Sequence, residues 1–147
     1  MKKILFLLTT LIGCLSAEAQ KLTVSEVFKQ MPDTLLPYLS ANNRLDMIDF
    51  MEAKMKAEIT NLLEGSSVMT LLTADSLSIM MNERLRVDIQ LVQRDSLVVE
   101  MVKTYSLQEQ QEEKVVQYFS TTWRPLSDYI VSSSTLLSRD EKLRLVP

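Results

Sequence analysis

The apolar residues of this chain change period at Ser66, and no other feature constrains the fold as strongly. Before Ser66 they recur at helical steps of three and four; after it they alternate with polar residues. The alternation defines five strand candidates: Val68–Thr73, Leu77–Asn82, Leu85–Val92, Leu97–Tyr105 and Val115–Ser120. Leu85, Val87, Ile89 and Leu91 interleave cleanly with Arg86, Asp88 and Gln90, the pattern of a strand with one face on a core and one in water. The connections Ala74–Ser76 and Gln93–Ser96 are short and polar, and Ser106–Lys114 is longer. Strands joined this way without intervening helices form an antiparallel meander.

Ahead of the meander, Thr23 and Glu26 make a capping box for a helix carrying Val24, Val27, Phe28 and Met31, which Pro32 stops. Thr34–Leu39 is an apolar connector with room for one helical turn. A second helix starts at Asn42 or Asn43, with Asp46 in its first turn. Its expected stripe is Leu45, Ile48, Met51, Met55, Ile59 and Leu62, with Glu52 and Lys56 as an outward i,i+4 pair and Gly65 as the stop. The fold expected is α+β: two N-terminal helices packed on an antiparallel β-meander of about five strands, in one domain over residues 20–126. Pro125 breaks the last strand on this reading, and Ser132–Ser134 is a soft linker. Residues 127–147 are then a C-terminal tail that either docks on the domain or belongs to a continuation past Pro147.

Composition removes chemistries. The 147 residues include no His and one Cys, Cys14, so His-based triads are absent, and Cys/His zinc sites and disulfides have nothing to build on. The net charge is −3, with basic pairs such as Lys54/Lys56 and Arg84/Arg86 flanked by acids, which speaks against a nucleic-acid partner. Apart from Gly13 near the start, Gly65 is the only glycine, so phosphate-cradling Gly-rich loops are missing. No catalytic, metal-binding or cofactor-binding residue is assigned.

The N-terminus reads as an address. Met1-Lys2-Lys3, the apolar run Ile4–Ile12 and Ala17-Glu18-Ala19 form a secretory signal peptide over residues 1–19, with Gln20 as mature N-terminus. The run is about half the length of a membrane-spanning helix, so no transmembrane span is expected. Leu11-Ile12-Gly13-Cys14 is also a lipobox, and lipidation of Cys14 is the only route to a membrane tether. The short apolar core before it favours the later cut and a soluble periplasmic or secreted product.

Two segments carry a resemblance: Met31-Pro32-Asp33-Thr34-Leu35-Leu36-Pro37-Tyr38-Leu39 followed by Asn42-Asn43-Arg44-Leu45-Asp46-Met47-Ile48-Asp49-Phe50, and Tyr118–Trp123. Over roughly residues 22–126 the chain resembles an exported family of Bacteroidales proteins that bears only a domain-of-unknown-function label. The resemblance implies an envelope or secreted location and brings no activity. Asp33-Thr34-Leu35, Asp75-Ser76-Leu77 and Asp95-Ser96-Leu97 resemble the O-glycosylation acceptor of exported proteins in that group, which makes Thr34, Ser76 and Ser96 candidate acceptors. Ordinary turn chemistry explains Asp-Ser and Asp-Thr equally well.

The remaining candidates are weighed against plainer roles. Asp46, Asp49 and Glu52 lie at steps of three on a helix, where Arg44, Lys54 and Lys56 make a solvated charged face the better reading. Met31, Met47, Met51, Met55, Met69, Met80, Met81 and Met101 fill core gaps or line an apolar pocket between helix and sheet, with Met51, Met55 and Met69 as its lining. Trp123 closes the end of the core or anchors a partner, and the former is preferred. The chain thus reads as a non-catalytic exported binding or structural module with an unknown protein partner. The alternative is a carrier or sensor of an apolar ligand in the Met-rich pocket. A hydrolase using carboxylates and hydroxyls alone has no motif behind it.

Overall fold

The computed structural model describes residues 21–107 and 112–134, of which 127–134 are described in backbone only. It is an α+β fold. Helix α1 (Val24–Lys29), a 3-10 turn (Asp33–Leu35) and helix α2 (Ala41–Glu52) precede seven strands: β1 Ala57–Thr60, β2 Ser66–Leu72, β3 Ser76–Asn82, β4 Leu85–Gln93, β5 Leu97–Ser106, β6 Glu112–Ser120 and β7 Pro125–Ser134. All seven lie antiparallel in sequence order in one sheet.

The strand count differs from the expected five because one strand was read as helix and another as tail. Helix α2 does not run to Gly65. It ends at Glu52 in a Schellman turn, where Met55 N–H donates to the Phe50 carbonyl (2.8 Å) and Lys54 N–H to that of Met51 (3.0 Å). The left-handed residue this requires is Lys54, with φ 56°, where a glycine is usual, so the sequence gives no stop signal. The chain then reverses into β1. Ala57 and Ile59 point inward there, and Ile59 falls on the expected helical stripe only by coincidence of spacing. Lys56 lies beyond the helix and pairs with Glu58 instead of Glu52. Gly65 belongs to the β1–β2 turn. The cap of α2 is Ser40, which accepts from Asn43 N–H, while the Asn43 side chain accepts from Ser40 N–H (3.1 Å each).

At the other end, Pro125 opens β7 where it was expected to end the last strand. A residue without an N–H is tolerated at the start of a strand that lies at a sheet edge. Ser132–Ser134 are part of β7, and the sheet continues past residue 126. The expected signal peptide with Cys14, and the tail past Ser134, lie outside the described residues.

One face of the sheet carries the core. Met69, Leu77, Ile79, Met81, Leu85, Val87, Ile89, Leu91, Val99, Met101 and Phe119 pack against Val24, Val27, Phe28, Met31, Leu36, Leu39, Met47 and Ile48 from the helical segment. Register keeps this face consistent, with Ile89 opposite Met101 and Leu91 opposite Val99, which in turn faces Phe119. Trp123 closes the end of this core. Its Nε1–H donates to the Val27 carbonyl (2.8 Å) and its ring lies 5.4 Å from that of Phe119. A φ of 63° at so bulky a residue is strained, and it persists because the ring is buried on both counts.

The helical segment is held by a side chain expected on the solvated face. Arg44 is 2% exposed. Its Nη1 donates to Asp33 Oδ1 (2.7 Å) and to the Leu39 carbonyl (3.1 Å), its Nη2 donates to the Met31 carbonyl (2.6 Å), and its guanidinium lies 6.0 Å from the centre of the Phe28 ring. The 31–39 connector has few backbone partners of its own, so Arg44 supplies donors that a regular element would otherwise provide. Lys103 adds another from the sheet, donating to the Leu35 carbonyl (3.1 Å), and its burial lowers its pKa below the usual lysine value.

The two partners of Arg44 should be unequal. Arg44→Met strands two buried carbonyls and is expected to lower stability by about 3–5 kcal/mol. Asp33 is 59% exposed, so Asp33→Asn should cost less than about 1 kcal/mol. Urea unfolding followed by the fluorescence of the single Trp tests both.

Candidate functional site

The three methionines expected to line a pocket are not brought together. Met69 is buried in the core, Met51 is half-buried, and Met55 is 58% exposed beyond the end of α2. The helix–sheet interface is instead filled, with Met47, Met81 and Met101 fully buried beside Met69. Met51 does line an open groove of about 400 Å³ between the start of α1, the end of α2 and the β2–β3 turn. Its other walls mix the polar Thr23, Glu26, Lys29, Glu52 and Thr73 with Leu72 and Ala74. The Glu26 carboxylate there already accepts from Thr23 N–H (2.9 Å) and Thr23 Oγ1 (3.1 Å) as the helix cap.

The other expected residues are dispersed. Asp46, Asp49 and Glu52 are exposed on α2, and among the described residues no three potential metal ligands cluster. Thr34 and Ser96 are exposed and Ser76 is half-buried; Ser76 N–H donates to Thr73 Oγ1 and its hydroxyl to Asp75 Oδ1. No described helix is long and apolar enough to cross a membrane.

The sheet face opposite the helices carries polar pairs. Asp88 accepts from Ser78 Oγ (2.6 Å) and Arg86 Nε (3.0 Å). Arg94 lies 4.2 Å over the Tyr118 ring, and the hydrogen bond of Tyr118 to Glu100 raises the phenol pKa above its usual value.

A more specific surface is the β1–β2 turn, which sequence reasoning missed. Asn61 is 5% exposed and organises it. Its Nδ2 donates to Ser67 Oγ (2.9 Å) and the Met81 carbonyl (3.3 Å); its Oδ1 accepts from Leu63 N–H (2.9 Å) and Gly65 N–H (3.1 Å). Asn61 N–H donates to Gly65 O (2.8 Å), Leu62 N–H to Tyr38 O (2.9 Å), and Glu64 takes a left-handed φ of 60°. The turn is therefore tied to both the sheet and the connector. On it stand Leu62 and Leu63, 57% and 62% exposed. Spacing had placed Leu62 on a helical stripe, and an isolated Asn gave no signal beyond a turn preference.

Asn61→Ala leaves the Leu63 and Gly65 amides without their acceptor, while Ser67 Oγ and the Met81 carbonyl keep their bond to each other (2.8 Å). It is expected to lower stability by about 2 kcal/mol and to speed amide hydrogen exchange at residues 62–65 while β4 and β5 stay protected. NMR-detected exchange reads this.

No curated protein matches the chain. Among solved structures, the fold is similar to a domain of an uncharacterised protein from Porphyromonas gingivalis W83, at 20% identity and a TM-score of 0.58, covering 71% of this chain and 53% of that one. The chain thus spans about half the length of that neighbour, and at this identity the likeness concerns the fold alone. The family profile described as "Protein of unknown function (DUF3256)" matches residues 14–141, and the chain belongs to that family.

Proposed function

We propose that this protein is a non-catalytic exported module that works by binding another polypeptide, and that the surface it offers lies around the β1–β2 turn. One observation carries the reading: the core is filled, while two adjacent leucines are held exposed on a turn that a buried Asn keeps rigid. A pre-ordered turn loses little freedom when a partner covers it, so its apolar area is available for binding. Large side chains left in water on a rigid support are commonly interaction surfaces. The export part of the proposal rests on the sequence of residues 1–19, with cleavage after Ala19 preferred to lipidation of Cys14.

The carrier reading is weaker. Methionines fill the helix–sheet interface that would hold an apolar ligand, and the open groove beside Met51 has the charged Glu26, Lys29 and Glu52 in its walls. The exposed Thr34 and Ser96 are compatible with modification during export.

Native mass spectrometry of the protein taken from its own host tests the proposal. The expected species starts at Gln20 and carries a further polypeptide, and Leu62→Ser/Leu63→Ser removes that polypeptide without changing the melting temperature. A monomer carrying a stoichiometric small apolar molecule would contradict the module, and a chain still starting at Met1 would contradict export.

A further inference from the structure

The β1 edge has opposite charges at its two ends and apolar residues at both. Among the described residues β1 pairs with β2 alone; Leu62 N–H at its exit goes to the Tyr38 carbonyl, so the backbone groups left open on its other side are those of Glu58 and Thr60. Lys54, Met55 and Lys56 stand at its entry and Leu62, Leu63 and Glu64 at its exit, all exposed. Lys56 is engaged by Glu58, and Glu58 also accepts from Ser66 Oγ (2.6 Å). Lys54 and Glu64 make no ion pair among the described residues. Both occupy left-handed backbone positions in fixed turns, so each end of the edge is held in shape.

We propose that this edge is a homotypic interface. The β1 strand of a second copy adds antiparallel about a two-fold axis at Ile59 and makes the two sheets continuous. The inference rests on the binding-module reading and names its partner.

Antiparallel pairing sets the register within the four residues of β1 and brings the entry end of one copy to the exit end of the other. Centred on Ile59, it brings Met55 toward Leu63 of the second copy, Lys54 toward Glu64, and Glu58 toward Thr60. Met55 and Leu63 lie where the chain turns away from the strand, so they meet as an apolar cap at each end of the paired strands. Met55 and Leu63 are then covered and Lys54 and Glu64 each meet an opposite charge, twice by symmetry. Other arrangements do worse. Centring on Glu58 sets two carboxylates face to face, and a parallel addition sets lysine against lysine. A four-residue strand with two apolar caps is small for a permanent interface, so the dimer is reversible.

Sedimentation velocity of the purified full chain, from low micromolar to millimolar concentration, tests this. The expected result is a concentration-dependent monomer–dimer equilibrium that weakens with added salt. Lys54→Glu and Glu64→Lys each set like charges together at both ends and should raise the dissociation constant by roughly tenfold or more. An equimolar mixture of the two variants pairs opposite charges at both ends and should restore dimerisation, which a misfolded variant could not do. A monomer at every concentration, or a dimer indifferent to these variants or not rescued by mixing, would overturn the proposal. If such a monomer carries a different polypeptide when taken from its host, the dimer fails and the module reading stands.

Discussion

A buried guanidinium organises the part of this molecule that has no regular structure. Arg44 leaves the first turn of α2 and reaches back across the 31–39 connector to two of its carbonyls and to the Asp33 carboxylate. An irregular segment at a domain's core would ordinarily carry backbone groups without partners. Here Arg44 supplies donors from one side and Lys103 from the other, while Tyr38 binds Leu62 N–H through its carbonyl and Asn82 Nδ2 through its hydroxyl. The Asp33 pairing is the lesser part, because that carboxylate is exposed and its charge is shared with water. The carbonyl bonds are buried, and nothing else among the described residues satisfies those groups from that side. One atom remains a cost: Arg44 Nε is buried without a partner.

Residues 31–39 and 42–50, two of the runs that carried the family resemblance, come together at this node. Met31, Asp33 and Leu39 from the first and Arg44 from the second are the donors and acceptors of one cluster. Their meaning was not legible from the sequence. Arg44 sits among Asp46, Asp49 and Lys54, and a charged residue in that company reads as surface. Only the fold shows that it lies on the inward face with Met47 and Ile48 while Leu45 faces out.

The sheet was far more legible. Alternation located β2 to β6 within a residue or two at most ends, because a half-buried strand must alternate whatever surrounds it. The failures came where local signals were atypical. Lys54 takes a position that glycine usually marks, so the end of α2 passed unseen and β1 was absorbed into a helix. Pro125 reads as a breaker, though at the start of an edge strand it breaks nothing. The candidate surface depends on the first failure: Met55 and Leu62 look like parts of one helical stripe and in fact stand, with Leu63, at the two ends of a strand, in water. A pattern taken for core was a displayed surface, and that change moves the functional reading from a pocket to an edge.

The 31–39 connector and the β1–β2 turn form one cooperative unit with the sheet, held there by Arg44 and Asn61. Native-state hydrogen exchange measures this most directly. The amides of Leu39, which donates to Leu36 O, and Leu62, which donates to Tyr38 O, should exchange only through global unfolding, with the same opening free energy as Ile89 in β4. Opening of those two amides at a free energy several kcal/mol below that of Ile89, with the sheet still closed, would contradict the account, because the connector would then be loosely attached and the turn it supports would not be rigid.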